Sequence, residues 1–307
     1  MRLKIRHETV YNFETAPASV IQTLRLTPRS FEGLHVVRWR LDIDRNCRLH
    51  ASEDAFGNQT HVFAVDGPVE SLSVLVEGEV DTHDVSGVVR GAVERFPAPL
   101  YLRETDLSTP DLDIRAFAAD AAAGAKDPLD ALHRLLAAVH ETVALDPEAK
   151  DPAGSAAEAF GVKRGTPQDL AHVFLAAARS LGSPGRYVTG YLHLKDGGQS
   201  ATASLSQSQD GQTQSMGAAE AEDEDDGPRP QNAAHCWAEA YAPGLGWVGF
   251  DPSLGLSTTE SHVRVAIGLD HLGAAPTRGS RYGGIGETFS VDVSVEASGG
   301  PRAFRRA

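Results

Sequence analysis

The segment from Gly165 to Leu194 constrains the fold more than any other stretch. Thr166-Pro167-Gln168-Asp169 has the form of a helix start. A hydroxyl residue caps the free N–H groups, proline takes the first helical position where no partner is lost, and an acid faces the positive helix end. Leu170, Val173, Phe174, Ala177, Ala178 and Leu181 then recur at intervals of three and four, which predicts a helix with one buried stripe. Gly182 and Pro184 stop it, and Arg186 to Leu194 reads as a strand. A helix that breaks and runs straight into an apolar strand has to pack on a sheet.

A hairpin follows. His235 to Tyr241 predicts one strand, Ala242-Pro243-Gly244-Leu245-Gly246 a loop, and Trp247 to Asp251 the returning strand. A five-residue loop sets Tyr241 opposite Trp247 and Trp237 opposite Asp251. His235 then lies diagonally from Asp251 on the same sheet face, within side-chain reach. A carboxylate so placed can hold an imidazole in one tautomer, as in thiol and serine acyl-transfer enzymes. For the pair taken alone, a structural hydrogen bond is the plainer reading.

Residues 1–100 read as a β-rich N-terminal domain. Leu3, Ile5 and His7 alternate with basic residues, Val36 to Ile43 and Ser71 to Val80 carry β-branched runs, and Asp54 to Asn58 is a turn between strands. Pro97 and Pro99 mark its end, and residues 101–295 form the core domain, followed by a tail at 296–307. Asp127-Pro128 starts another helix, with Leu132, Leu135, Leu136, Val139 and Val143 at helical spacing. Residues 196–232, rich in Gly, Ser and Gln and then acidic, hold almost no apolar anchors and predict a mobile loop. Thr288 to Val295 alternates again and predicts an edge strand.

Formal net charge is −14, six of the acids falling at Glu220, Glu222, Asp223, Glu224, Asp225 and Asp226, and no Lys/Arg cluster offers a nucleic-acid surface. No apolar run approaches the roughly 18–20 residues of a membrane span, and the N-terminus has no signal-peptide block. The reading is a cytoplasmic protein with two free thiols, Cys47 and Cys236. No metal or cofactor is expected. His133 and His140 stand seven apart on one helix where a metal pair prefers four, and Asp81, His83 and Asp84 read as solvated loop residues. Gly283-Gly284-Ile285-Gly286 lacks the strand–loop–helix context of a phosphate loop and reads as a turn.

Several segments together resemble bacterial transglutaminase-like proteins. His235-Cys236-Trp237-Ala238-Glu239 with Gly244-Leu245-Gly246-Trp247-Val248-Gly249-Phe250-Asp251-Pro252 is similar to their His-Ala-Trp…Gly-Trp…Asp-Pro segment. Arg179-Ser180-Leu181-Gly182, Arg186-Tyr187-Val188 and Gly190-Tyr191-Leu192 look like the helix end and strand after the nucleophile. His7-Glu8-Thr9 with Tyr11, Arg25-Leu26-Thr27-Pro28-Arg29 and Asp54 to Asn58 resemble the N-terminal β-domain of that family, and His262-Val263-Arg264-Val265-Ala266 its C-terminal signature. The resemblance covers nearly the whole chain. It implies an α+β fold: a papain-like, transglutaminase-like core, with the nucleophile helix packed on an antiparallel sheet, beside an N-terminal β-rich domain.

It also implies a Cys–His–Asp triad with His235 and Asp251 as two members. The family's Gly-Val-Cys-Gln-Asp reads here Gly165-Thr166-Pro167-Gln168-Asp169, so Pro167 holds the nucleophile position. Proline carries no thiol and no backbone N–H to help an oxyanion, yet it suits the first turn of a helix. The expectation is a cleft bordered by Thr166, Gln168 and Trp237 without thiol catalysis, binding a peptide or amide-bearing protein partner. The alternative is acyl transfer by Thr166 or by a water that His235 activates. Cys236 should point away from its neighbour His235, because successive strand side chains face opposite ways. Gly185, where the family has alanine, and Leu269-Asp270-His271-Leu272-Gly273, where it has Gly-Arg-Asp-Tyr…Asp, depart further from the pattern.

Overall fold

The computed structural model describes residues 1–146, 152–194, 201–205 (as backbone) and 234–298. In chain order, β1 (Arg2–Thr15), β2 (Ser19–Thr27), β3 (Leu34–Ile43), β4 (His50–Glu53), β5 (Gln59–Asp66) and β6 (Ser71–Thr82) come first, then β7 (Val88–Val89). The helical stretch holds α1 (Leu112–Ala122), α2 (Pro128–Thr142), β8 (Ala144–Leu145), α3 (Ala156–Val162), β9 (Arg164–Gly165) and α4 (Pro167–Ser180). After it come β10 (Gly185–Leu192), β11 (Ala201–Leu205), β12 (Ala234–Ala242), β13 (Gly246–Asp251), β14 (Leu256–Ser257), β15 (His262–Gly268), α5 (His271–Ala274), β16 (Thr277–Tyr282) and β17 (Ile285–Ala297).

Period-two burial builds the β-domain. Leu3, Ile5, His7, Thr9, Tyr11 and Phe13 of β1 all point inward, and their neighbours point out. One sheet runs β11-β17-β1-β6-β3 and the other β16-β2-β5-β4. Between them Tyr11, Phe13, Leu24, Phe63, Leu72 and Val74 share one apolar cluster.

The core sheet runs β14-β13-β12-β10-β15, with β7 also on β13. Its two faces differ because β12 alternates small and large residues. Ala238, Ala240 and Ala242 face the helices, where they share a cluster with Leu170, Ala171, Phe174 and Ala178 of α4. Small side chains on both partners let the helix axis lie close to the sheet. On the opposite face, Trp237 packs with Val188, Ile267 and Phe56 of the β-domain turn. Asn58 of that turn is tied in by accepting from the Ile267 N–H at 2.8 Å and donating to the Ile267 carbonyl at 2.8 Å. The core sheet is therefore enclosed by helices on one side and by the β-domain on the other.

Four expectations need correcting. Burial of α4 is not a stripe: every residue from Asp169 to Arg179 is buried, because α1, α2 and α3 contact it where solvent was expected. The strand expected at 288–295 is not an edge, since β17 lies between β1 and β11. β16 and all but the last two residues of β17 fall within the range 101–295 but hydrogen-bond with β2 and β1, so they complete the N-terminal sheets. Within the expected mobile loop 196–232, residues 201–205 form β11; the remainder, acidic run included, lies outside the described residues. No helix among the described residues is long and apolar enough to cross a membrane.

Candidate functional site

The site begins at the N-terminus of α4. Thr166 is the N-cap, with extended backbone, and Pro167 follows in the first turn. Asp169 Oδ2 accepts from both the Thr166 N–H and the Thr166 hydroxyl at 2.8 Å, and the Asp169 N–H donates back to Thr166 Oγ1 at 3.3 Å. Asp169 Oδ1 accepts from the Ala153 N–H at 2.9 Å. Burial raises the Asp169 carboxyl, and these hydrogen bonds oppose it. Gly165 is needed here, because a Cβ would come within 2.7 Å of the Asp169 side chain. Pro167 and Gln168 are half-buried on this first turn.

The hairpin brings the second half. Tyr241 pairs with Trp247 and Ala238 with Phe250, the register expected from the loop length. His235 Nε2 lies 2.6 Å from Asp251 Oδ2. The His235 side chain is 6% exposed and that of Asp251 fully buried. Asp251 Oδ1 accepts from the Ser253 N–H (3.0 Å), the Ser253 hydroxyl (2.6 Å) and the Leu254 N–H (3.2 Å). Burial alone would raise this carboxyl, but His235, His262 and Ser253 outweigh it and hold it well below the usual carboxylate range. Asp251 is thus an anion that keeps the His235 proton on Nε2. Among the described residues, His235 Nδ1 makes no hydrogen bond.

Cys236 faces the helices as expected. It is buried in the α4 cluster, and burial pushes its thiol up to about 12, with the charges of Asp251 and Asp169 adding to the rise. The Cys236 thiol thus lies in the apolar cluster that α4 and β12 share. Trp237 lies on the other face, its ring 5.2 Å from that of His262. Gly190, opposite His235 in the register, makes room for that ring: a Cβ there would meet Trp237 at 2.7 Å.

Residues 3–81 match the bacterial transglutaminase-like N-terminal region and residues 115–252 the transglutaminase-like superfamily. The chain belongs to the transglutaminase-like superfamily. An uncharacterized protein of Mycobacterium leprae is 26% identical over 305 residues, covering 96% of this chain and 98% of its own. One from Mycobacterium tuberculosis is 24% identical over 315 residues, covering 96% and 92%. A candidate cysteine protease from Cytophaga hutchinsonii shares the fold with a TM-score of 0.67 at 17% identity, over 97% of this chain and 92% of its own.

Within this transglutaminase-like core, His262 is the residue the sequence reading did not place at the site. Its Nε2 lies 3.2 Å from Asp251 Oδ2. The only hint in the sequence was the His-Val-Arg-Val-Ala segment, since β15 reaches β12 through β10 and not by any local turn. His235, Asp251 and His262 offer ligand atoms within 4.8 Å of one another, yet the set does not suit a metal ion. The Thr259 N–H donates to His262 Nδ1 at 3.1 Å, so that nitrogen is an acceptor and the proton sits on Nε2, where a metal would have to bind. The other candidates are engaged as well. His140 Nδ1 donates to the Pro252 carbonyl at 2.9 Å, His133 packs edge-on against Phe250, and Asp81 pairs with Arg2.

A second polar cluster lies beneath the Trp237 face. Fully buried Arg186 donates to Glu239 at 2.6 Å and to Glu94 at 2.7 Å, and Arg264 donates to Glu239 at 2.7 Å. The Arg186 guanidinium lies 4.0 Å over the Trp247 ring. This cluster fixes β10, β12 and β15 side by side behind the site.

Proposed function

We propose that this chain is a non-catalytic member of the transglutaminase-like superfamily that holds a peptide or amide-bearing partner in the cleft between the α4 N-terminus and His235. One observation carries the reading. Pro167 stands in the first turn of an intact capped helix, where the family resemblance puts the nucleophile, and His235 and Asp251 lie 2.6 Å apart. A thiolate at a helix N-terminus would be stabilised by the dipole and a nearby imidazolium. Proline offers neither sulfur nor an N–H for the oxyanion, and one lost oxyanion donor alone costs about 3–4 kcal/mol of barrier. The reading is tested by incubating the full chain with a protected Gln-Gly peptide, with and without a primary amine. Ammonia release and amine incorporation should stay at background, while the peptide perturbs the His235 imidazole signals in NMR. Turnover abolished by His235→Ala would overturn it.

A second reading is favoured by His235 Nδ1, which hydrogen-bonds to none of the described residues: a water there could be activated for slow hydrolysis of an amide or ester. Thr166 is the weaker nucleophile, because its hydroxyl hydrogen is committed to Asp169. Hydrolysis lost in His235→Ala but kept in Thr166→Ala would select the water mechanism.

A further inference from the structure

We propose that His262 is a positioning residue of this site: through Asp251 it sets the tautomer of His235 and keeps the lone pair on its Nδ1. The inference rests on taking His235 as the working side chain of the cleft, not on the cleft being inert.

Asp251 Oδ2 receives two imidazoles, His235 at 2.6 Å and His262 at 3.2 Å. Both contacts are to Nε2, and all three side chains are more than nine-tenths buried. A carboxylate can serve both only if both nitrogens carry hydrogen. For His262 the backbone decides this. The Thr259 N–H points at Nδ1 from 3.1 Å, and the Thr259 hydroxyl lies 3.4 Å away. Nδ1 must accept, so the neutral ring bears its proton on Nε2 and donates it to Asp251. The other carboxylate oxygen is held by Ser253 and Leu254. With both oxygens fixed, the carboxylate cannot rotate about its Cβ–Cγ bond, and Oδ2 stays aimed at His235. His235 must then keep its proton on Nε2, and the lone pair on Nδ1 faces away from Asp251.

The sheet explains why a residue so distant in sequence does this. β15 and β12 flank β10 on opposite sides, Gly190 of β10 leaves the space that Trp237 fills, and the Trp237 ring lies 5.2 Å from that of His262 and 6.3 Å from that of His235. His262 is thus a second-strand support for the same carboxylate that the hairpin supplies. Its Thr259 contact comes from the turn entering β15, so the chain of orientation runs from a backbone N–H through His262 and Asp251 to His235.

The test is nitrogen NMR of the histidine rings in the full chain, read as tautomer populations at pH 7.5. In the wild type, His262 and His235 should each show one tautomer, with the proton on Nε2. His262→Phe keeps ring volume but removes both hydrogen bonds, and should turn His235 into a mixture with at least about a tenfold rise in its minor tautomer. His262→Gln, whose amide can accept from Thr259 and donate to Asp251, should restore the single form. A folded His262→Phe protein with an unchanged His235 tautomer overturns the proposal. If that variant does not fold, the wild-type spectrum still decides, because a proton found on Nδ1 of His262 overturns it equally. Neither result bears on whether a Gln-Gly peptide binds or turns over, so the two readings fail separately.

Discussion

Thr166 donates its hydroxyl hydrogen to Asp169 at 2.8 Å, and the Asp169 amide answers from 3.3 Å. The side chain that could most simply have replaced the missing thiol is thereby bound into the helix start. Thr166→Ala is expected to cost about 1 kcal/mol of stability in urea unfolding, the usual value of an N-cap, and to leave amide and ester turnover at the wild-type background. Turnover that is present in the wild type and vanishes in this variant would reinstate the hydroxyl as nucleophile.

Pro167→Cys should install a reactive thiol. The position keeps the helix dipole behind it, and the capping box that orders the turn does not involve residue 167. The native thiols are poor competitors: burial, helped by Asp44, raises Cys47, and Cys236 is pushed up to about 12. At pH 7 iodoacetamide should label Cys at 167 at least about tenfold faster than either native cysteine, and His235→Ala should remove most of that advantage. Peptide mapping by mass spectrometry gives the rates. Equal labelling of all three would mean that the imidazole does not reach this spot.

The Arg186–Glu239–Arg264 cluster should tolerate deletion of one charge badly. Burial would raise the Glu239 carboxyl, but Arg264 and Arg186 hold it down, so it is an anion between two guanidiniums. Glu239→Gln leaves two arginines short of a partner in a dry site, which typically costs about 3–5 kcal/mol. An unfolding free energy from denaturant titration that changes by less than about a tenth of that would show the cluster to be solvated.

Stability should fall below neutral pH because of two buried histidines. Burial lowers His7 to about 4; burial, with the charges of His271 and Arg179, lowers His172 to about 3. In the unfolded chain each titrates near about 6.5. The native state stays neutral at both while the unfolded chain gains protons, so stability is complete above that value and declines as pH falls toward the folded ones. By pH 5 each accounts for a loss of about 2 kcal/mol. Below about pH 4 Asp251 adds to the loss, since the unfolded carboxyl protonates first. Thermal melts from pH 7.5 to 5 should show the decline, and His7→Gln, whose amide can still bridge Tyr191 and Thr9, should flatten roughly half of it. Melting temperatures independent of pH over that range would contradict the assignment.

Local geometry was legible in the sequence, and contacts made through the sheet were not. The Thr166 cap and the Tyr241–Trp247 register follow from a few adjacent residues, and the register alone carries His235 to Asp251. The two-sided burial of α4 was hidden because α1 shows so little pattern: only Ile114 and Ala118 of its eleven residues are buried. His262 was invisible as a site residue for the same reason that β17 was misplaced at an edge. Which strand lies beside which is fixed by long-range pairing, and periodicity reports only which face is covered.

β17 lines up against nearly all of β1, from Leu3 opposite Ala297 to Thr15 opposite Ile285. During synthesis β1 therefore waits for one of its two neighbours until β17 has been made. Closure over so long a span is slow, and until it happens the exposed flank of β1 is open to pairing with other nascent chains. A chain cut after α5 should accumulate in inclusion bodies even with its cleft residues all in place.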